Sequence, residues 1–146
     1  METAMTKAQD GTSARDRNSD VTMPVPDGAS CQAVNDLLAR VGDKWTVRVV
    51  MSLTGGSQRF SELRRAIGGI SQRMLTRTLR ALERDGIVSR TVTPTVPVRV
   101  DYALTDLGRS LAVPIAALGN WAMAHQGATE AARAEYDSAQ EESAAA

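Results

Sequence analysis

Residues 68–86, "GGISQRMLTRTLRALERDG", decide how this chain is read. The stretch opens on a glycine pair, offers Ser71 as an N-cap, and spaces Arg73, Arg77, Arg80 and Arg84 by four, three and four. On a helix, at about 100° per residue, the four arginines fall within roughly 60° of one another, while Leu75, Leu79 and Leu82 fall on the opposite side. The helix then has one apolar face and one basic face. Like charges at these spacings cost an isolated helix about 0.2–0.5 kcal/mol per pair, and only Glu83 is spaced to relieve one of them, Arg80. The basic face is expected to meet something negative outside the helix.

Immediately upstream, "RFSELRRAIGG" at 59–69 sets Phe60, Leu63 and Ile67 on one side of a second short helix. Two short helices joined by a Gly-bearing turn form the layout of a helix-turn-helix, whose second helix enters the major groove of DNA. Further back, "DKWTVRVVMSLTGG" at 43–56 opens on Asp43 as a cap and repeats Trp45, Val49 and Leu53 at helical spacing, although its valines would also suit a strand. Another helix is expected from Ser30 as N-cap through Val34, Leu37, Leu38 and Val41 to Gly42. Downstream of Gly86, "IVSRTV" and "VRVDYAL" alternate like strands, and the proline-bearing "TPTVP" between them suits a hairpin tip. A two-stranded hairpin behind a helix-turn-helix is a wing. Thr105 then caps a last helix with an apolar stripe of Leu107, Leu111, Ile115, Leu118 and Trp121 or Ala122, interrupted by Pro114 at a cost near 3 kcal/mol unless packing compensates.

The fold class expected is mainly α (α+β), with one domain at 30–126 between a polar, disordered tail at 1–29 and an Ala/Glu-rich tail at 127–146 that is frayed helix or disordered. The 146-residue chain carries 17 basic and 17 acidic residues, but they are segregated. Residues 58–100 hold nine arginines against three acids, net +6, whereas residues 101–146 hold two basic residues against seven acids, net −5. A basic block in a neutral chain speaks for a polyanionic partner, nucleic acid first and an anionic membrane surface second. No apolar run is long enough to span a membrane and the first thirty residues lack a signal-peptide layout, so a cytoplasmic protein is expected. The one cysteine, Cys31, agrees with a reducing compartment and excludes an intrachain disulfide. One His, one Cys and no clustered carboxylates point to no metal, no cofactor and no enzyme.

The order of elements resembles the HxlR-type family of winged helix-turn-helix transcriptional regulators. The resemblance is carried by Cys31, "VGDKWTVRVV" at 41–50, "RFSELRRAIGGIS" at 59–71, "MLTRTLRALERDGIVSRTV" at 74–92, "PVRVDYALTDLGRSL" at 97–111 and Trp121. It implies a homodimeric, DNA-binding regulator in which the first and last helices build the dimer interface and the wings flank the DNA. It leaves open a small-molecule effector between the subunits. The alternative class is a dimeric winged-helix adaptor whose basic face binds an acidic protein.

Within the helix-turn-helix, Gln72, Arg73, Thr76 and Arg77 occupy the half of the second helix that reaches base edges, where Arg suits guanine and Gln suits adenine. Arg80 and Arg84 lie deeper along it and suit phosphate contacts or internal ion pairs. Arg59, Arg64 and Arg65, read as part of the first motif helix, suit phosphate, and Ser71 can both cap its helix and donate to phosphate. Arg99, beside the wing tip, suits the minor groove, a phosphate, or a partner such as Asp101. Trp45, Leu63, Leu75, Leu79, Leu82 and Tyr102 are assigned to the core. His125 is placed at the end of the last helix, where a cation complements the dipole. Cys31 stands at a helix start, which favours thiolate, and occupies the position where some members of the resembled family carry a redox-sensing cysteine, although "QA" follows it here where proline is frequent.

Overall fold

The computed structural model describes residues 28–146. The tail expected over 1–29 therefore lies outside the described residues except at its last two positions, which are helical. Helix α1 runs Gly28–Gly42 and α2 Lys44–Leu53; strand β1 is Gln58–Arg59; helix α3 runs Phe60–Ile67 and α4 Gln72–Arg84. Strands β2, Val88–Thr93, and β3, Arg99–Leu104, precede a final helix α5, Asp106–Ala145. Because α1 begins at Gly28, Ser30 is an interior residue of that helix and not its N-cap.

Residues 43–53 form a helix despite their valines. Asp43 accepts the Trp45 N–H at 2.8 Å, and Thr46, Val49, Val50 and Leu53 all turn inward at helical spacing. Helix α4 buries Leu75, Thr78, Leu79 and Leu82 by the same rule. The core joins these to Leu63 of α3, Ile70 of the turn, Ile87, Val88, Leu104 and, from α5, Ile115. Trp45 and Tyr102 are only half-buried at its edge. Trp45 lies under two cations, the Lys44 ammonium at 4.5 Å and the Arg48 guanidinium at 5.4 Å from the ring centroid.

Helix α4 ends in a Schellman motif: Ile87 N–H donates to Leu82 O at 2.9 Å and Gly86 N–H to Glu83 O at 3.1 Å, with Gly86 at φ 75°. That turn delivers the chain straight into β2. The sheet has three strands in the order β1-β3-β2, all antiparallel, and not the two expected. The added strand is two residues long, pairing Gln58 with Tyr102 and Arg59 with Asp101, too short to leave a periodic signal.

Helix α5 departs furthest from expectation. It continues through Pro114 to Ala145, so the segment 127–146 is helical almost throughout, and only Gly108 and Ile115 are buried, with Leu111 and Ala112 partly so. The rest of the expected apolar stripe, Leu107, Leu118 and Trp121, is exposed. His125 consequently sits in mid-helix, its ring stacked on Trp121 at 4.6 Å and its Nδ1 2.8 Å from the Trp121 carbonyl oxygen, far from the helix end assigned to it.

The start of α5 is clamped onto the α4–β2 junction. Thr105 N–H donates to Ile87 O at 3.1 Å, the Thr105 hydroxyl donates to the Gly86 carbonyl, and Gly108 N–H donates back to Thr105 Oγ1 at 3.1 Å. A Cβ on Gly108 would stand 2.1 Å from Ile87 O and 3.1 Å from Leu104 Cδ2. Backbone cannot yield as a flexible side chain does, so Gly108→Ala is expected to lower unfolding free energy by a net of about 1–3 kcal/mol in urea titration, even though alanine is the better helix former.

Candidate nucleic-acid interface

The turn between α3 and α4 presents the second helix. Gly68 and Gly69 both take positive φ, 66° and 68°, Ile70 plugs into the core, and Arg64 Nε donates to Ile70 O at 3.4 Å across the turn. Ser71 then caps α4: its Oγ accepts the Met74 N–H at 3.1 Å. With the hydroxyl oxygen so engaged, the Ser71 proton is still free to be donated outward.

Five expected residues share a single surface. Gln72, Arg73, Thr76, Arg77 and Arg80 together line an open concavity along the outer side of α4. Thr76 Oγ1 donates to Gln72 O at 2.8 Å, which leaves its lone pairs outward. A second, contiguous groove between α3 and α4 is lined by Phe60, Ser61, Arg64, Arg65 and again Gln72. The two grooves gather five arginines without a carboxylate lining either one.

Arg84 does not join them. It lines a different depression, against α1 and the loop after it, with Asp36, Arg40, Asp43 and Asp85. Arg80 also makes no ion pair with Glu83; the described ion pairs are Arg40–Asp85, Arg99–Asp101 and Arg109–Asp106. Arg59 belongs to β1 and serves as N-cap of α3, so it is not a helix residue as expected; its N–H donates to Glu62 Oε2 at 3.1 Å.

Arg99 is exposed on the wing, its Nε donating to Asp101 Oδ2 at 2.9 Å. This partner lies two residues along the same strand and not across the sheet. The hydrogen bond to Asp101, then the carboxylate charge, raises the Arg99 pKa above its ordinary value, so the guanidinium stays charged. Cys31 is half-buried on the first turn of α1, with Asn35 Nδ2 at 3.7 Å from its Sγ. Among the described residues no three metal-ligating side chains cluster, and no helix is long and apolar enough to cross a membrane.

A family model described as HxlR-like helix-turn-helix matches residues 40–130. The chain belongs to this family. The uncharacterized HTH-type transcriptional regulator YtfH of Escherichia coli (strain K12) is 44% identical over 86 residues, covering 59% of this chain and 68% of that one. Among solved structures, the putative transcriptional regulator ytfH from Salmonella typhimurium matches with TM-score 0.63 at 39% identity, over 68% of this chain and 89% of that one. The redox regulator HypR in its reduced form matches with TM-score 0.63 at 38% identity, over 68% and 98%. The protein is thus a helix-turn-helix transcriptional regulator, of a family that binds DNA and is not enzymatic.

Sequence spacing missed two elements of this HxlR-like site. One is the Arg40–Asp85 pair at 2.9 Å, which ties the end of α1 to the C-cap of α4. The other is the Thr105–Gly108 clamp, since a threonine before a helix announces a cap but not the carbonyls of the α4–β2 turn that it also binds. The cap at the other end of α4 is testable by itself. Ser71→Ala should cost about 1 kcal/mol of stability in urea unfolding by freeing the Met74 N–H, and Ser71→Gly only a few tenths.

Proposed function

We propose that the protein regulates transcription as a twofold dimer on a pseudo-palindromic operator whose half-sites lie about one helical turn apart, with α4 of each protomer in a major groove. The observation that carries this reading is the convergence of Gln72, Arg73, Thr76, Arg77 and Arg80 on one exposed concavity. Gln72, Arg73, Thr76 and Arg77 read base edges, because they lie in the first half of α4; Arg80 holds phosphate. Ser71 donates to phosphate at the helix N-terminus, where the helix dipole favours an anion. Arg59, Arg64, Arg65 and Arg99 meet the backbone on either side. Arg84, turned toward α1, takes no part.

The dimer forms through α1 and α5. Leu37 and Leu38 of α1 are each 53% exposed, and Leu118 and Trp121 of α5 are 57% and 58% exposed, more apolar surface than a monomer of this size comfortably leaves in water. The decisive experiment is a salt titration of binding to the gene's own upstream duplex, with the mass of the complex measured by sedimentation. Two protomers per operator are expected, and log K should fall with log salt by about 0.9 per phosphate neutralised. Arg77→Ala should weaken specific binding by about 1–3 kcal/mol and relax discrimination at one base pair in each half-site. Absence of any duplex binding at low salt overturns the reading.

The signal proposed is the redox state of Cys31. The likeness to a redox regulator and the partial exposure of the thiol on α1 support it. Two Cys31 thiols, one per protomer, would lose two protons and two electrons to an oxidant and form an intersubunit disulfide. After diamide, non-reducing electrophoresis should show a dimer absent from Cys31→Ser, with altered operator affinity. An unchanged monomer band with unchanged affinity ends this part of the proposal.

A further inference from the structure

The inner face of β2 carries an arginine where the strand pattern asks for an apolar residue. Register pairs Val88 with Leu104, Arg90 with Tyr102 and Val92 with Val100, so Val88, Arg90 and Val92 share the face that turns toward α4. Val88 and Leu104 are buried there, yet Arg90 is exposed. The reason is position: Arg90 emerges in a notch of about 320 Å³ between α4 and the wing, lined by Thr76, Arg80, Glu83, Arg90 and Tyr102.

We propose that this notch is a phosphate clamp, in which Arg80 from α4 and Arg90 from the wing close on one backbone phosphate of the bound duplex. Three observations converge on it. Two guanidinium-bearing side chains from different elements line one notch, and neither has a carboxylate within the 4.0 Å of an ion pair among the described residues. Arg99, the other wing arginine, shares its guanidinium with Asp101, whereas Arg90 makes no ion pair among the described residues. Thr76 and Arg80 also line the outer concavity of α4, so the notch opens directly off that surface and a strand following α4 passes its mouth. Half-buried Tyr102 lies opposite Arg90 in the register and walls the notch on the side of β3. A phosphate offers each guanidinium two oxygens in a plane, and charge-assisted bonds of that kind are about twice as strong as neutral ones.

This inference rests on the reading of α4 as the DNA-contacting helix, and the experiment separates the two. Salt titrations on the upstream duplex and on unrelated duplex are run for wild type, Arg90→Gln, Arg90→Gln with Arg80→Gln, Arg90→Lys and Arg77→Ala. Arg90→Gln is expected to weaken both duplexes alike, by about tenfold, with the slope kept because Arg80 still neutralises the shared phosphate; adding Arg80→Gln to it then shortens the slope by about 0.9 per bound protomer, while Arg90→Lys keeps the wild-type affinity. The lysine variant also shows that the loss is one of charge and not of folding. Wild-type affinity in Arg90→Gln overturns the clamp, and does so without touching the reading of α4 if Arg77→Ala still loses specific binding. Replacing chloride by inorganic phosphate at constant ionic strength should shift wild type and Arg90→Gln equally. Competition seen in wild type and lost in Arg90→Gln would make the notch a site for a free anion and overturn its assignment to the duplex.

Discussion

The carbonyl of Ile87 is where this molecule is held together. It accepts the Thr105 N–H at 3.1 Å and lies within 3.2 Å of the Thr105 hydroxyl, and the bare Cα of Gly108 passes so near that no side chain fits between. The same residue's N–H closes the Schellman motif on Leu82 at the end of α4. Helix α4, wing and last helix thus meet at one residue. Any tilt of α5 must break hydrogen bonds at both its cap and the end of α4. In the proposed dimer joined through α5, the separation of the two α4 helices would inherit that rigidity.

The basic face of α4 is affordable because its other face is so well buried. Leu75, Leu79 and Leu82 are between 0% and 1% exposed. Each contributes about 1.5–3 kcal/mol on burial, against about 0.2–0.5 kcal/mol lost per like-charge pair on the outer stripe. Packing therefore outweighs repulsion severalfold, and the arginines need no partner within the fold. The helix keeps its charge uncompensated at little cost to stability.

Much of this was legible in residue order. Period and caps located α2, α3 and α4, and the glycine pair and Ser71 marked the helix-turn-helix turn. Local patterning failed where the third dimension decides. Arg84 falls on the same angular stripe as Arg73, but eleven residues further along a helix is about 16 Å, and at that height the neighbour is α1. Strand β1 is too short for any alternation to show. Gly108 looks like an ordinary weak point in a helix until the carbonyl beneath it is seen. The run to Ala145 has no apolar stripe to announce it; its alanines and glutamates are strong helix formers, and propensity carries the helix where packing does not.

From residue 117 onward every position of α5 is exposed, so about 43 Å of helix stands clear of the body. Five of the chain's acids, Glu130, Glu135, Asp137, Glu141 and Glu142, ride on that projection, while the net +6 of residues 58–100 stays with the helix-turn-helix and the wing. The protein has zero formal net charge, yet its described residues form a long electric dipole. In the field of a polyanion such a molecule feels a torque before it feels an attraction: the basic end swings inward and the acidic boom swings out. Its approach is oriented by charge separation alone, and it carries none of the excess positive charge that would hold it on every polyanion it meets.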